Sequence, residues 1–491
     1  MDRSKSASFV LELKLKTSGS DAAYIDKCMG YGCRIYNTLV RHCRKQVASL
    51  RQDGRYRALL GAYAAEKDSG ARKRLSKELS GITAAYGLTE YSLHAYVSVQ
   101  QKAFRKYINS HVAQKIASSV WRGVEKVLYQ NGKKLHFKKL SGFTSLEGKN
   151  NTTGIVFRGG EVLFGGRKIQ ARRHKRDGSA ARHYEDEALK RRVKYCRLIR
   201  RPMGDGYQYY VQLILEGSPP VKHQLGHGRA GLDIGTSTAA AVTDTGCILT
   251  LLGKGVADTE KRMRRIQRKM DRSRRAMNPG NYNPDGTVKR GRRKWVYSSH
   301  YRKLNGRMQA LCRKRAAALK QEQEILADKI AGQCDTLYVE KMNFKGLQRK
   351  SRKTELRADG RYKRRKRFGK SLQSRAPSQF CRILKSKIRR LGGRYLEVDT
   401  AAFKASQYDH TTDTYTRKKL SRRHNVIDGR WVQRDLYSAF LLKNSDDALS
   451  HPDWQMCMDT YKAFLKAHDA CIEQIRNSET KIPRSFGFTA A

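Results

Sequence analysis

Residues 7–16 alternate apolar and charged positions, with Phe9, Leu11, Leu13 and Leu15 against Glu12, Lys14 and Lys16. That period of two predicts a half-exposed strand. From Asp21 the spacing turns helical. Ile25, Cys28, Met29, Tyr36 and Leu39 share one face, and Arg34, Arg41, Arg44 and Lys45 another, with Gly32 on the apolar side. Helical patterning continues to about Tyr129, where Ile116, Val120, Val124, Val127 and Leu128 form a clear stripe. Short strands return after Gly132, at 135–140, 154–157, 161–164 and 168–171, separated by glycine-rich turns. Residues 193–200 and 207–216 read as a hairpin around Pro202-Met203-Gly204-Asp205-Gly206. These strands and the first one make a small β domain with the helical block inserted into it. Pro219-Pro220 through Gly228 reads as a linker.

Gly231-Leu232-Asp233-Ile234-Gly235 then gives a buried strand carrying one carboxylate, because Asp233 points away from its two apolar neighbours. A strand at 239–243, a turn at Asp244-Thr245-Gly246 and a strand at 248–252 complete a meander. A long helical pair follows, at 259–275 with Met263, Ile266 and Met270 as its seam, and at about 299–330. Thr336-Leu337-Tyr338-Val339-Glu340 is a second apolar strand ending in an acid. Residues 345–370 are very basic and read as a loop or arm ordered by nucleic acid. A helix through Phe380, Leu384, Ile388 and Leu391 stops at Gly392-Gly393, before a strand at 395–399. Residues 400–432 are polar and irregular, and Asp435 falls in the first turn of a helix at 433–442.

Charge then narrows the partner. Lys and Arg number 103 against 44 Asp and Glu, a net charge of +59 spread over the 491 residues, which calls for a polyanion. The hydrophobic share of 39% is enough to build cores, unlike a basic tail. The ten cysteines include no Cys-x-x-Cys pair, which argues against a zinc ribbon and a disulfide framework and for reduced thiols in a cytoplasmic protein. No apolar run approaches membrane-spanning length, and no short-period repeat occurs.

Asp233, Glu340 and Asp435 are the candidate catalytic and metal-ligating residues. The order strand, hairpin, helices, strand, helix, strand, helix fits an RNase H-like α/β domain, whose mixed sheet would bring the three carboxylates together. Converging carboxylates repel and need cations, and oxygen donors favour Mg²⁺ or Mn²⁺. Two such ions would activate a water and stabilise the leaving oxygen at a phosphodiester. Asp399 and Asp428 are reserve candidates, the first at a strand end and the second in the turn Ile427-Asp428-Gly429. Arg264, Arg265, Arg268 and Lys269 on the long helix either contact a nucleic-acid backbone or face bulk solvent, and Arg434, beside Asp435, is a further candidate nucleic-acid contact.

Several stretches resemble the TnpB-family transposon nucleases and their compact descendants among type V CRISPR effectors. They are Gly231-Leu232-Asp233-Ile234-Gly235, Leu337-Tyr338-Val339-Glu340-Lys341-Met342, Lys404-Ala405-Ser406-Gln407 and Val432-Gln433-Arg434-Asp435-Leu436-Tyr437-Ser438-Ala439. Tyr36-Asn37-Thr38-Leu39 and Phe137-Lys138-Lys139 are also similar. The resemblance implies a multidomain α+β protein: a split small-barrel wedge domain with an inserted helical recognition bundle, followed by an RNase H-like (RuvC) nuclease domain. On this chain the parts fall at 1–20 and 132–222 (wedge), 21–131 (recognition), 223–401 and 433–491 (nuclease), and 402–432 (lid). It implies a guide RNA, double-stranded target DNA bound as heteroduplex and displaced strand, and a short flanking motif. It also implies a bacterial cytoplasmic location, at the nucleoid when on DNA, with no membrane partner and either a monomer or a homodimer. One departure stands out. The family's four-cysteine ribbon belongs between Gln407 and Arg434, where this chain has no cysteine. The lid is therefore expected to be a degenerate, zinc-free ribbon. A guided repressor without cleavage and a guide-free RuvC-like nuclease or resolvase remain the alternatives.

Overall fold

The computed structural model describes residues 7–203, 206–221, 223–349, 355, 356, 358, 360, 368–419, 422–478 and 482–489. The expected turn at Gly204-Asp205 and most of the basic 345–370 arm lie outside them. The chain is α+β and divides into two compact units, residues 1–220 and 221–491. No helix among the described residues is long and apolar enough to cross a membrane.

In the first unit the alternating stretch forms β1 (Ser8–Leu15), with every second residue buried. Five helices follow: α1 (Gly19–Gln52), α2 (Gly54–Ala65), α3 (Ser69–Ala85), α4 (Glu90–Lys102) and α5 (Ser110–Tyr129). Helix α1 starts at a capping box in which Ser18 and Asp21 satisfy each other's backbone amides. The chain then returns through β2 (Ser145–Glu147), β3 (Ile155–Arg158), β4 (Glu161–Phe164), β5 (Arg167–Arg172), α6 (Ala180–Leu189), β6 (Val193–Met203) and β7 (Gly206–Glu216). These strands and β1 make one antiparallel sheet ordered β2-β6-β7-β1-β5-β4-β3, and it curls so that β3 meets β6. Strands and helices share one continuous hydrophobic core. Residues 135–140 do not form the expected strand. That stretch is extended and lies along α1, held by side chains rather than by a β ladder. Helix α6, amid the charge runs 172–176 and 190–192, had no apolar stripe to announce it.

The second unit is built on a five-stranded sheet of β8 (Arg229–Ile234), β9 (Thr238–Thr243), β10 (Cys247–Leu251), β11 (Thr336–Glu340) and β12 (Arg394–Val398), ordered β10-β9-β8-β11-β12. β8 and β9, and β9 and β10, pair antiparallel; β11 runs parallel to both β8 and β12. Between β10 and β11 comes the hairpin of α7 (Glu260–Ala276) and α8 (Ser299–Ala331). The short helices α9 (Phe344–Gln348) and α10 (Gly369–Arg375) and the longer α11 (Pro377–Arg390) precede β12, and α12 (Thr400–Phe403) follows it. Residues 400–432, expected to be irregular, hold most of two small hairpins: β13 (Tyr408–Asp409) with β14 (Thr414–Tyr415), and β15 (His424–Ile427) with β16 (Arg430–Gln433). The second turns through Asp428 and Gly429, both at positive φ (48° and 69°), as a two-residue hairpin requires. Helices α13 (Arg434–Lys443) and α14 (Trp454–Ser478) end the unit.

Each face of this sheet has its own core. Leu232, Ile234, Leu337 and Val339 pack on α8 and α11. Tyr338, Ala240 and Val242 pack on α13 and α14. Helix α13 is buried along its whole length from Asp435 to Lys443. It lies so close to β8 that a Cβ added at Gly231 would fall well inside contact distance of the Ala439 carbonyl and the Lys443 amide. Gly231→Ala is therefore expected to destabilise this unit by on the order of 3 kcal/mol. Gly280→Ala, where the added methyl meets nothing, should stay within about 0.5 kcal/mol of the parent. Urea unfolding of the two variants beside the parent checks the pair.

Candidate active site and basic groove

The close approach at Gly231 sets where the carboxylates go. Gly231 and Asp233 are two residues apart on a strand, so they share a face, about 6.6 Å apart along it. Ala439 and Asp435 are four residues apart on α13, about 6 Å along its axis. With Ala439 seated over Gly231, Asp435 is carried to the neighbourhood of Asp233. The parallel pairing of β11 with β8 sets Tyr338 beside Gly231 and Val339 beside Leu232. The pairing ends there, and Glu340 and Asp233 are the next residues on the two strands. All three acids thus come to one face and one end of the sheet.

Their electrostatics agree with that placement. Burial pushes the Asp233 carboxyl well above the usual carboxylate range, and the charges of Asp435 and Glu340 push it further, against the pull of Arg434 and Arg423. Burial likewise raises Glu340 to about 7. Asp233 and Glu340 each keep some solvent contact, and among the described residues neither has a hydrogen-bond or ion-pair partner. Asp435 is different: its Oδ1 accepts from Arg434 Nε at 3.3 Å and Nη2 at 3.1 Å. Arg434 also donates through Nη1 to the Arg422 carbonyl at 2.9 Å, and its amide donates to Arg423 O at 3.0 Å. It ties the segment before β15 to the carboxylate.

Both ends of α13 are anchored. Gln433 caps it, its Oε1 accepting from Leu436 N at 2.7 Å, and Gln433 N donates to His468 Nε2 at 3.0 Å. At the other end Lys443 Nζ donates to Asp244 Oδ1 at 2.6 Å, while Asp244 Oδ2 accepts from Arg229 N at 3.0 Å. Asp399 is turned to other work, capping α12 through Ala401 N at 3.0 Å. Asp428 sits in its hairpin turn.

Three carboxylates, two of them unpartnered among the described residues, form an oxygen donor set suited to a hard divalent cation. Among the described residues no group of three or more His, Cys, Asp or Glu side chains is already drawn to metal-binding distances. Asp435 faces Arg434 instead. In the 402–432 segment an aromatic cluster fills the interior. His410 is fully buried, its amide and Nδ1 both on the Tyr437 hydroxyl, with Phe440 and Tyr461 against its ring.

A second charged feature lies between α7 and α8, a groove of about 500 Å³. Arg265, Arg268 and Lys269 line it with Arg262 and Arg272 of the same helix and Arg307 and Lys314 of α8, over a floor of Ile266, Leu304 and Leu311. Arg264 does not join them. It points to the other side of α7, where its guanidinium meets Glu260 at 3.2 Å. The spacing 262, 265, 269, 272 marks one helical face, and that spacing is the sequence signal that groups Arg262 and Arg272 with Arg265 and Lys269.

No family model and no curated protein matches the chain. Among solved structures, the chain is similar to a Cas12f1–sgRNA–target DNA complex at 10% identity and a TM-score of 0.40, over 88% of this chain and 98% of that one. A CRISPR-Cas12f ternary complex matches at 11% identity and a TM-score of 0.27, over 87% and 82%. A Cas12i–crRNA–double-stranded DNA complex matches at 10% and 0.24, over 92% and 64%. Overlap this loose leaves activity to be argued from the side chains themselves.

The raised Glu340 has a measurable consequence. Its proton is held more tightly in the folded chain, so its contribution to stability is complete below about 4.5 and is lost as pH rises through about 7. With divalent ions chelated, Glu340→Gln should match the parent near pH 4.5 and exceed it at pH 8 by on the order of 1–3 kcal/mol. Denaturant titrations at the two pH values check this.

Proposed function

We propose that the chain is an RNA-guided DNA endonuclease with one RuvC-like site, formed by Asp233, Glu340 and Asp435. The observation that carries the reading is the convergence of these three acids toward one face of a mixed sheet, two of them with no partner among the described residues. The strand order supports it. Counted from β8, the sheet runs 3-2-1-4-5 with the second strand antiparallel, the arrangement of RNase H-like domains. In this reading residues 1–20 and 132–222 are the wedge, 21–131 the recognition bundle, 223–401 and 433–491 the nuclease, and 402–432 the lid. The guide and the flanking motif come from the likeness of the sequence motifs to TnpB-family nucleases, and the +59 charge suits both nucleic acids.

Asp233, Glu340 and Asp435 would hold Mg²⁺ or Mn²⁺, which when bound supplies water activation and charge neutralisation at the phosphodiester. The chain's own part is to fix the donors. The β8–β11 pairing, which ends at Val339 beside Leu232, and the seat of α13 on Gly231 would keep Asp233, Glu340 and Asp435 near one another. Glu340 has to give up its proton to act as a ligand, and a group near 7 does so under mild conditions. Arg434 keeps a cation beside the carboxylates, placed to meet a phosphate oxygen. The α7–α8 groove offers seven cations to a sugar-phosphate backbone, whose shape rather than sequence it would read.

The test is cleavage of guide-matched DNA with randomised flanks by protein purified with RNA from its own locus. Cutting should require Mg²⁺ and the matched guide, and should fall by more than about a hundredfold in Asp233→Ala. Tight guided binding without cutting by the parent would indicate a repressor. Cutting that ignores the guide would indicate a guide-free nuclease.

A further inference from the structure

Two motifs remain unexplained by the carboxylate site: Tyr36-Asn37-Thr38-Leu39 and Phe137-Lys138-Lys139. The first unit joins them. The Asn37 carboxamide pairs with the Lys138 backbone on both sides, Nδ2 donating to Lys138 O at 2.9 Å and Oδ1 accepting from Lys138 N at 2.9 Å. Two turns along α1, Arg44 Nε donates to Leu135 O at 3.0 Å and the guanidinium lies over the Phe137 ring at 4.4 Å. Helix α1 thereby holds an extended segment in one position without a β ladder. This fixes the Lys138 ammonium over the rings of Tyr36 at 4.2 Å and Phe143 at 5.5 Å.

Lys138 lines a cavity of about 470 Å³ together with Lys27, Tyr31 and Arg34 of α1 and with Tyr107. Lys27, Tyr31 and Arg34 follow at four and three residues, one stripe of the helix. Tyr31 stacks on Tyr107 at 4.8 Å and meets the tilted ring of Phe104 at 5.0 Å. The cavity lining contains three cations and no acid. Among the described residues none of the three cations has an ion-pair partner. Burial draws the Lys138 amine below the usual lysine range, the cost of holding a half-buried charge with only ring faces to meet it. A cavity with unbalanced positive charge and a rigid aromatic wall is completed by an anion that carries a flat ring. Its size falls in the range of small-ligand sites.

We propose that this cavity seats one nucleotide of a single-stranded stretch of nucleic acid, its phosphate on Lys27, Arg34 and Lys138 and its base against the Tyr31–Tyr107 wall. The proposal rests on the nucleic-acid partner of the reading above but not on cleavage. The test uses the full chain, EDTA, and short fluorescent RNA and DNA strands, each with normal and with abasic nucleotides, across a salt series. The parent should prefer the base-bearing strand by about tenfold, a base–aromatic stacking effect. Tyr31→Ala should remove that preference and leave the abasic affinity unchanged. Lys138→Ala and the exposed-site variant Arg34→Ala should each weaken both strands and lower the salt slope by about one, and Lys138→Arg should keep the parent slope. The arm with the larger base preference identifies RNA or DNA as the occupant. A base preference that survives Tyr31→Ala, or an unchanged salt slope in both Arg34→Ala and Lys138→Ala, overturns the proposal. Loss of guided cutting with base preference intact sinks the nuclease reading alone; the converse sinks the cavity alone.

Discussion

The second unit depends on one backbone-on-backbone contact, the crossing of α13 over β8 at Gly231. No side chain fits between them. The absence of a Cβ lets a fully buried helix lie directly on the central strand of a five-stranded sheet. Once it lies there, geometry does the rest. Four residues of helix and two of strand cover nearly the same distance, so Asp435 comes into the neighbourhood of Asp233. Parallel pairing with β11 adds Glu340 at the same end. The contacts at Gln433 and Lys443 fix the two ends of the helix, and its buried side chains are part of the core on that face.

That arrangement is electrostatically uncomfortable without a counter-charge. Two carboxyls that share a desolvated corner with a third respond by holding protons more tightly. The chain relieves a part of the stress with Arg434, which engages Asp435 and also reaches back to the Arg422 carbonyl. The segment that precedes β15 is therefore coupled to the carboxylates through one side chain. Deeper in the same region, Tyr408, His410, Tyr437 and Phe440 build an interior from rings. Such packing can hold two short hairpins together without any cross-link.

Much of this was legible in residue order. The period-two alternation of residues 8–15 and the acids at the ends of apolar strands are local signals, and local signals survive in a single sequence. Asp233, Glu340 and Asp435 could be placed because each sits at a recognisable element boundary. The role of Gly231 was not legible, since a glycine opening a strand looks the same whether or not a helix lies on it. The segment 135–140 misled because Leu135 and Phe137 alternate like a strand, whereas its backbone partners are Asn37 and Arg44, about a hundred residues away. The hairpins in 408–433 were hidden by short strands and mixed polarity, although the Asp428-Gly429 turn was visible. That Arg264 faces away from the groove lined by Arg265, Arg268 and Lys269 was not legible, because a helix with cations nearly everywhere does not reveal which face its partner helix covers.

The most direct test of the account is calorimetric titration of the metal-stripped protein with Mn²⁺ at pH 7, in two buffers of different ionisation enthalpy. Saturable binding accompanied by proton release is expected, with loss of both in Asp233→Asn and Asp435→Asn. Binding without proton release, or binding that survives both substitutions, would mean that these carboxylates are not the site.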